Sequence, residues 1–355
     1  MKQEVPKRKL AVFLVLSVML ITFTFYGYQM FFTPNVLVEK TDRLVVIRSG
    51  TSFRELQKQF HDDGVVNDLV TFSFVVRIIG YDRQIKPGRY LLRGNMSNLA
   101  AVTALRKGRR EAVKVTFSHA RKMEDLAEKV TANIGVTSEE FLGAVNDFVS
   151  GNTDGFTREN VISMFIPNTY EVYFNLTPED LVSRMHQEYL KFWSPARLER
   201  AKAIGLSPFE VAALASIVQS ESAKPEEARV IAGLYINRLR KGIPLQADPT
   251  LIFAVGDFTI KRVLNVHKEI ESPYNTYKYT GLPPGPVALP YIRTIDAVLD
   301  YERHDYYYMC AREDFSGYHR FSNSLEEHQR NARRYQRALT AEMEKARKNK
   351  ESVPD

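Results

Sequence analysis

The chain has 355 residues, 49 Lys plus Arg, 42 Asp plus Glu and a formal net charge of +7 at pH 7. So mild a charge, without a basic stripe interleaved with aromatic residues, argues against nucleic-acid binding. The single cysteine, Cys310, excludes an intrachain disulfide and a metal cluster of cysteine type. The seven histidines form no HExxH motif. His319 and His328 are interpreted as loop hydrogen bonders, so no metal and no cofactor is predicted.

The N-terminal segment predicts a membrane anchor. Residues 10–32 carry no charge, and a helix of that length rises about 34 Å, enough to cross a hydrocarbon core of about 30 Å. Basic residues crowd positions 1–9 and the next charged residue is Glu39. The positive-inside rule therefore predicts a cytoplasmic tail over 1–9, a single pass through the cell (inner) membrane and an extracytoplasmic or periplasmic remainder. A cleaved signal peptide is the alternative, but the apolar run is too long and lacks a small-residue cleavage site.

A small module is predicted over residues 43–117. Its pattern is a strand in RLVVIR (43–48), two helices in TSFRELQKQFHDDG (51–64) and VTFSFVVRIIG (70–80), and a strand in IKPGRYLL (85–92). The order of elements is therefore β-α-α-β.

Residues 118–205 are predicted to be mainly helical. Capping boxes that begin at Thr137 and Thr177 start two of the helices. Between them, FIPNTYEVYF (165–174) has the character of an extended segment.

A core of mixed α and β structure is predicted over 206–345, and its first helix carries the most informative residue. A capping box formed by Ser207 and Glu210 marks the helix start. Apolar residues at i, i+3 and i+7, counted from Val211, form a core-facing stripe that reaches Glu221 at i+10. Burial there would raise the pKa of the carboxyl until it could donate a proton near neutral pH. The alternative is an ordinary helix-end glutamate turned to solvent or paired with an arginine.

Three unusual loops follow a packed helix that is predicted from Pro225 to Gly242. They are LQADPT (245–250), SPYNTYKYTGLPPGP (272–286) and GYHRFSNSLEEH (317–328). A saccharide site typically combines aromatic side chains that stack on the sugar rings with Asn, Gln and Asp side chains that hydrogen-bond to them. Turn chemistry alone could also account for the Pro and Gly residues in any one loop.

The C-terminal region predicts an amphipathic helix that begins with a capping box at Ser324 and Glu327. Residues 346–355 have too few apolar side chains to pack, so we expect this tail to be frayed.

Taken together, the motifs resemble the endolytic murein transglycosylase family, the membrane-bound lytic transglycosylase G group. The resemblance covers roughly residues 40–340 and is carried by ASIVQSES, INRL, LQADPT, SPYNTY, GLPPGP and HRFSNSLEEH in this order. It implies an α+β fold with one N-terminal transmembrane helix, a small LysM-like β-α-α-β subdomain and a mixed α+β catalytic domain. For the LysM-like part, glycan contact and a simple spacer role are equally open.

The resemblance also implies a chemistry that uses Glu221 as the single catalytic acid. Such an enzyme cleaves MurNAc-GlcNAc β-1,4 bonds in nascent glycan strands, leaves 1,6-anhydro-MurNAc ends and limits strand length. Gln219 replaces the second Glu of the family pattern, which indicates that one carboxylate suffices. Two alternatives stay open: a muramidase-type hydrolase in which Asp248 is a second acid, and a non-catalytic glycan-binding scaffold.

Supporting residues and partners are further implications of the resemblance. The expected substrate-binding or supporting residues are Gln246, Asp248, Asn275, Tyr277, Asn168, Thr169, Tyr170 and Gln219. Asn168 stands where the family usually has Asp, and ALP (288–290) replaces Asn-Pro-Gly. The expected partners are peptidoglycan glycan strands, with membrane-bound synthases (penicillin-binding proteins) as further candidates.

Overall fold

The computed structural model describes residues 7–48, 50–108, 112–174, 176–260 and 262–351. Most of the predicted cytoplasmic tail and residues 352–355 therefore lie outside the described residues. The chain forms two compact units. The first comprises residues up to 115 with 133–137 and 171–177, and the second comprises 116–132, 138–170 and 178 onward.

The described residues contain helices and short strands in alternation. The helices are α1 (Lys7–Phe32), α2 (Phe53–Asp62), α3 (Leu69–Ile79), α4 (Asn98–Lys107), α5 (Met123–Thr131), α6 (Ser138–Gly151), α7 (Pro178–Phe192), α8 (Pro195–Ile204), α9 (Pro208–Glu221), α10 (Ala228–Arg240), α11 (Asp248–Val255), α12 (Ile292–Leu299) and α13 (Leu325–Glu351). The strands are β1 (Pro34–Val36), β2 (Arg43–Ile47), β3 (Gly88–Leu92), β4 (Met96–Ser97), β5 (Ala112–Phe117), β6 (Asn168–Tyr173), β7 (Tyr308–Ala311) and β8 (His319–Ser322).

The first unit contains the predicted β-α-α-β order. β2 and β3 pair antiparallel, from Arg43 opposite Leu92 to Ile47 opposite Gly88, and α2 and α3 lie between them in the chain. Ser52 and Glu55 form a complete capping box at the start of α2. The unit also contains α4 and a short antiparallel pair of β1 with β4, which the sequence pattern did not indicate because these strands are too short to show a period.

The N-terminal helix α1 agrees with the predicted apolar segment. From Arg8 to Phe32 it is long and apolar enough to cross a membrane, and most of its large apolar side chains are exposed. Near its end, Met30 and Phe31 pack against the apolar core of the first unit.

A buried polar cluster fixes the end of α1 to the rest of the first unit. Asn98, only 1% exposed, donates from Nδ2 to the carbonyl of Met30 at 3.0 Å and to Thr71 Oγ1 at 3.2 Å. Its Oδ1 accepts from Asn35 Nδ2 at 2.7 Å. Because each partner belongs to a different element, Asn98 joins α1, β1 and α3 to α4.

In the second unit, α9 is the central element and packs against α8, α10, α11 and α12. The capping box is confirmed: Glu210 N donates to Ser207 Oγ at 3.3 Å, and Ser207 N donates to Glu210 Oε2 at 2.8 Å. The predicted core-facing stripe of Val211, Leu214 and Val218 is buried, as expected, but burial is not confined to that face. All residues from Val211 to Val218 are buried, because neighbouring helices cover this helix on every side.

Side chains of α9 also hold the loop before α12. Ser216 Oγ accepts from Val287 N at 2.9 Å. Gln219 donates from Nε2 to the carbonyl of Leu289 at 3.2 Å and accepts from Tyr291 N at 2.7 Å. Hydrogen bonds from the C-terminal half of α9 therefore hold this loop against the helix.

Among the remaining elements, one predicted helix begins differently from the expectation. The helix expected from Pro225 opens with a 3₁₀ turn, Pro225–Glu227, before α10 begins. β7 and β8 pair antiparallel and α13 packs against both strands. α13 extends to Glu351, and fraying of the tail stays a prediction. The extended segment predicted before α7 is present as β6.

We expect Asn98→Ala to loosen the first unit. The substitution removes the donor that Asn98 provides to the Met30 carbonyl. It also removes one acceptor of Asn35 Nδ2, which keeps its bond to the Asp68 carbonyl. A buried polar group left without its partner costs about 1–3 kcal/mol. Hydrogen-exchange mass spectrometry of the full chain in detergent should show faster exchange in α3 and α4. Asn67→Ala, at an exposed position of the same unit, is the control, and equal exchange in the two variants would contradict this role for Asn98.

Candidate active site

Glu221 is the last residue of α9 and its carboxyl is held by a tyrosine. Tyr235, on α10 and only 2% exposed, donates its hydroxyl to Glu221 Oε1 at 2.6 Å. After Glu221 the chain leaves the helix, with Ser222 in an extended conformation. The carboxyl group is therefore fixed at the point where a buried helix ends.

The surroundings of Glu221 favour its protonated form. Burial raises the pKa of the Glu221 carboxyl to about 7, the hydrogen bond from Tyr235 lowers it, and the charge of Asp248 raises it. Burial and the neighbouring Glu221 also raise the pKa of Tyr235 well above its usual value, so this hydroxyl stays a donor. A carboxyl with a pKa near neutrality can both give and take a proton.

Arg238 lies one turn after Tyr235 on α10 and arranges the loop beside Glu221. Its guanidinium donates to the carbonyls of Pro244 at 3.0 Å and Tyr307 at 2.9 Å, and to Gln246 Oε1 at 2.8 Å. Gln246 has a φ of 54°, in the left-handed region that costs a residue with a Cβ of order 1 kcal/mol or more. The arginine therefore helps to hold a strained backbone in place.

A second carboxylate is hydrogen-bonded in the same region. Asp248 is the first residue of α11 and accepts from the hydroxyl of Tyr277 at 2.6 Å. Burial, followed by the hydrogen bond and the charge of Asp248, raises the pKa of Tyr277. The tyrosine thus donates to the carboxylate across the usual pH range.

These groups line one cleft of about 280 Å³. Its lining residues are Glu221, Leu234, Tyr235, Arg238, Leu245, Gln246, Asp248, Tyr277, Tyr308, Met309 and His328. The structure therefore brings together four of the predicted site residues, from α9 and two of the loops.

Seven lining residues were not named as site residues by the sequence analysis, and four of them are polar or aromatic: Tyr235, Arg238, Tyr308 and His328. His328 is the last residue of the GYHRFSNSLEEH segment. For Tyr235 and Arg238 a signal exists, because they stand at i+4 and i+7 from the buried Ile231 and so share its helix face. A buried arginine on an apolar face is a site indicator. Tyr308 and His328 come from distant segments that only the fold brings to the cleft.

The other predicted site residues do not line this cleft. Asn275 is fully buried and bonds within its own loop: its Nδ2 donates to the carbonyls of Lys268 and Ile270, and its Oδ1 accepts from Tyr277 N and Lys278 N. Gln219 is engaged by the loop before α12.

The β6 residues lie elsewhere in the second unit. Asn168 Oδ1 accepts from Thr169 N at 2.8 Å, and Thr169 Oγ1 lies 2.9 Å from Thr116 Oγ1. Tyr170 is buried and stacks on Phe117 with ring centroids 5.5 Å apart. None of these three residues is among those that line the cleft, so their role in substrate binding stays a prediction.

Metal ligation has no visible site in the part of the chain that the structure describes. No group of three or more His, Cys, Asp or Glu side chains there could hold a metal ion.

Fold and cleft together define a class: a mixed α and β protein that presents a tyrosine-bound, partly protonated carboxyl among polar and aromatic side chains. The YceG-like family profile matches residues 45–334. The chain therefore belongs to the YceG-like family.

Curated relatives and a solved structure agree with this assignment. A protein of Streptococcus pneumoniae serotype 2 named endolytic murein transglycosylase is 27% identical over 352 residues, covering 90% of this chain and 63% of that protein. A Bacillus subtilis protein of the same name is 27% identical over 319 residues, covering 84% and 87%. A crystal structure of a yceG-like protein from Listeria monocytogenes has a TM-score of 0.52 and 25% identity, covering 81% of this chain and 98% of that chain. The resemblance found in the motifs is confirmed.

We expect Tyr235→Phe to raise the pKa of Glu221 further above its value of about 7. The lost hydrogen bond stabilises the charged carboxylate, so its removal favours the protonated form. Titration by NMR with labelled glutamate, assigned by comparison with Glu221→Gln, would measure the shift. Tyr274→Phe, which alters a buried tyrosine outside the cleft lining, should leave this pKa unchanged; an unshifted pKa in Tyr235→Phe would contradict the assignment.

Proposed function

We propose that this protein is a membrane-anchored endolytic lytic transglycosylase that cleaves MurNAc-GlcNAc β-1,4 bonds of peptidoglycan. The observation that carries the proposal is the Glu221 carboxyl, with a pKa raised to about 7 and a hydrogen bond from Tyr235. The names of the two relatives support the same substrate class. Because the chain covers only 63% of the pneumococcal protein, the activity is proposed for this chain on its own residues.

In the proposed reaction, Glu221 first acts as an acid. Its proton passes to the glycosidic oxygen as the bond from that oxygen to C1 of MurNAc breaks, and positive charge develops at C1. The resulting carboxylate then takes the proton of the C6 hydroxyl of the same MurNAc, whose oxygen bonds to C1. The proton lost in the first step is thereby regained, no water is consumed, and a 1,6-anhydro ring closes.

A single carboxyl can serve both steps because the nucleophile belongs to the substrate. An internal hydroxyl has a very high effective concentration at C1, so no second group is needed to activate water. Tyr235 supports the charged form of Glu221 after the first step. Asp248, held by Tyr277, supplies negative charge to the same cleft and would stabilise the developing positive charge at C1.

Hydrolysis is the second candidate because Asp248 lines the same cleft as Glu221. In that mechanism a second carboxylate activates water or attacks C1 directly. A glycan-binding scaffold is disfavoured because simple binding gives no reason to bury a carboxyl and raise its pKa.

The anchor and its partners are also part of the proposal. α1 would cross the cell membrane once, with the basic N-terminus in the cytoplasm and both units outside. There the cleft would meet nascent glycan strands close to the membrane-bound synthases, and cutting within a strand would limit its length. The β-α-α-β arrangement of the first unit supports a LysM-like role in glycan contact, or a spacer that raises the cleft above the membrane.

We expect Glu221→Gln to lower the rate of product release from uncross-linked peptidoglycan strands by a factor of about 10² or more. Mass spectrometry of the soluble products should find 1,6-anhydro-MurNAc ends for the unmodified chain. The control is Glu226→Gln, which replaces an exposed glutamate nearby and should give the same products. Reducing-end sugars that disappear in Asp248→Asn would instead establish hydrolysis. Release by Glu221→Gln at the control rate would remove the acid role of this residue.

We expect a membrane-impermeant maleimide to label Lys58→Cys, but not Lys9→Cys, in intact spheroplasts of cells that express each variant in a Cys310→Ser background. Lys58 is exposed on α2 of the first unit, whereas Lys9 lies on the N-terminal side of the proposed span. Both positions should react after permeabilisation, which controls for reactivity. Labelling of Lys9→Cys in intact spheroplasts would reverse the orientation.

A further inference from the structure

His328 differs from the other histidines of the C-terminal region in having no hydrogen-bond partner for a buried ring nitrogen. In the described part of the chain, His328 Nδ1 is buried without a partner. By contrast, His319 Nδ1 lies 2.8 Å from Glu227 Oε2, and His304 uses both nitrogens, with Nε2 2.8 Å from the carbonyl of Val230 and Nδ1 accepting from Tyr306 N at 3.0 Å. A buried polar atom left unpaired is unfavourable, so it requires a reason.

The position of His328 in the cleft supplies that reason. His328 is one of the residues that line the same cleft as Glu221 and Asp248. The first turn of α13 fixes its backbone, since His328 N donates to the carbonyl of Ser324 at 3.1 Å. The ring stacks on Tyr308 of β7 with centroids 5.3 Å apart and an interplanar angle of 23°. Backbone and ring orientation are therefore set without a bond from Nδ1.

The surroundings of His328 favour the neutral form of its ring. Burial, and then the cation of Arg238, lower the pKa of His328 below its usual value. A neutral imidazole has one donor and one acceptor nitrogen, whereas the protonated ring only donates. Hydroxyl and acetamido groups of amino sugars also both donate and accept, so a neutral ring matches either orientation of such a group.

We propose that His328 is a substrate-binding residue whose imidazole hydrogen-bonds a hydroxyl or acetamido group of the amino sugar seated against Glu221. This inference rests on the proposed glycan substrate and adds to it a contact from α13. Tyr308 from β7 and His328 from the first turn of α13 thus add to the cleft residues outside the LQADPT and SPYNTY loops, and His328 is the last residue of the GYHRFSNSLEEH segment.

Two substitutions separate binding from structure. His328→Phe keeps a ring that can stack on Tyr308 and removes both nitrogens, whereas His328→Gln keeps a donor and an acceptor. Because Nδ1 has no partner to lose, His328→Phe should not lower Tm. His319→Phe is the comparison: it removes the contact from His319 Nδ1 to the buried Glu227 carboxylate, which keeps only the bonds from the backbone N of residue 319 and from Ser222 Oγ. The loss should lower Tm.

Binding is measured in the Glu221→Gln background, where turnover is blocked, by calorimetry with an uncross-linked GlcNAc-MurNAc strand. We expect His328→Phe to weaken the affinity roughly tenfold, as for loss of one hydrogen bond, and His328→Gln to recover part of it. In the active chain, kcat/KM should fall by a similar factor. Unchanged affinity in His328→Phe would overturn the inference, and so would a lowered Tm with equal losses in Phe and Gln.

The same experiment distinguishes failure of the inference from failure of the proposed function. If the strand binds normally and yields reducing-end sugars or no products, the transglycosylase proposal fails, while the affinity of His328→Phe still decides the role of His328. If the strand binds neither Glu221→Gln nor the unmodified chain, both are overturned.

Discussion

The rest of the second unit depends on the burial of α9 and on the carboxyl at its end. Eight successive residues of this helix, Val211 to Val218, are buried, so four neighbouring helices must meet around it. An apolar helix enclosed in this way gives a rigid base, because close-packed interiors yield little. Glu221, one turn further, therefore stands at a fixed place where the packed core gives way to the cleft, and Tyr235 binds it from the adjacent helix.

Rigid positioning extends from this base to the polar side chains of the cleft. Arg238 donates from Nε, Nη1 and Nη2 to two carbonyls and to Gln246. Asn275 makes its side-chain hydrogen bonds within its own loop. Gln246 keeps a left-handed backbone, which surrounding contacts must enforce. A site built in this way needs little reorganisation when charge develops in a bound substrate, and this preorganisation is the main source of electrostatic catalysis.

Local patterns predicted the elements well and the cleft in part. The capping box at Ser207 and the β-α-α-β order follow from neighbours within a few residues, whereas the importance of Glu221 rested on the resemblance of several motifs to a known family. Tyr308 and His328 were missed because they lie 87 and 107 positions after Glu221, and no spacing rule covers such distances. Asn275 shows the converse limit: a polar residue in a polar loop can serve the loop itself, and sequence cannot separate that role from ligand binding.

A pKa near 7 also explains why one carboxyl could perform two opposite tasks. At its usual pKa, Glu221 would be almost fully ionised at neutral pH and could rarely donate a proton. With a much higher pKa it would be too weak an acid to transfer its proton to the substrate. Burial raises the pKa of Glu221, and the hydrogen bond of 2.6 Å from Tyr235 limits that rise. Because the acid step of the proposed reaction needs the protonated form and its ring closure needs the charged form, a pKa near neutrality serves both. Asp248 strengthens the first requirement, since its charge raises the pKa of Glu221, and it can do so without touching the substrate or taking part in proton transfer.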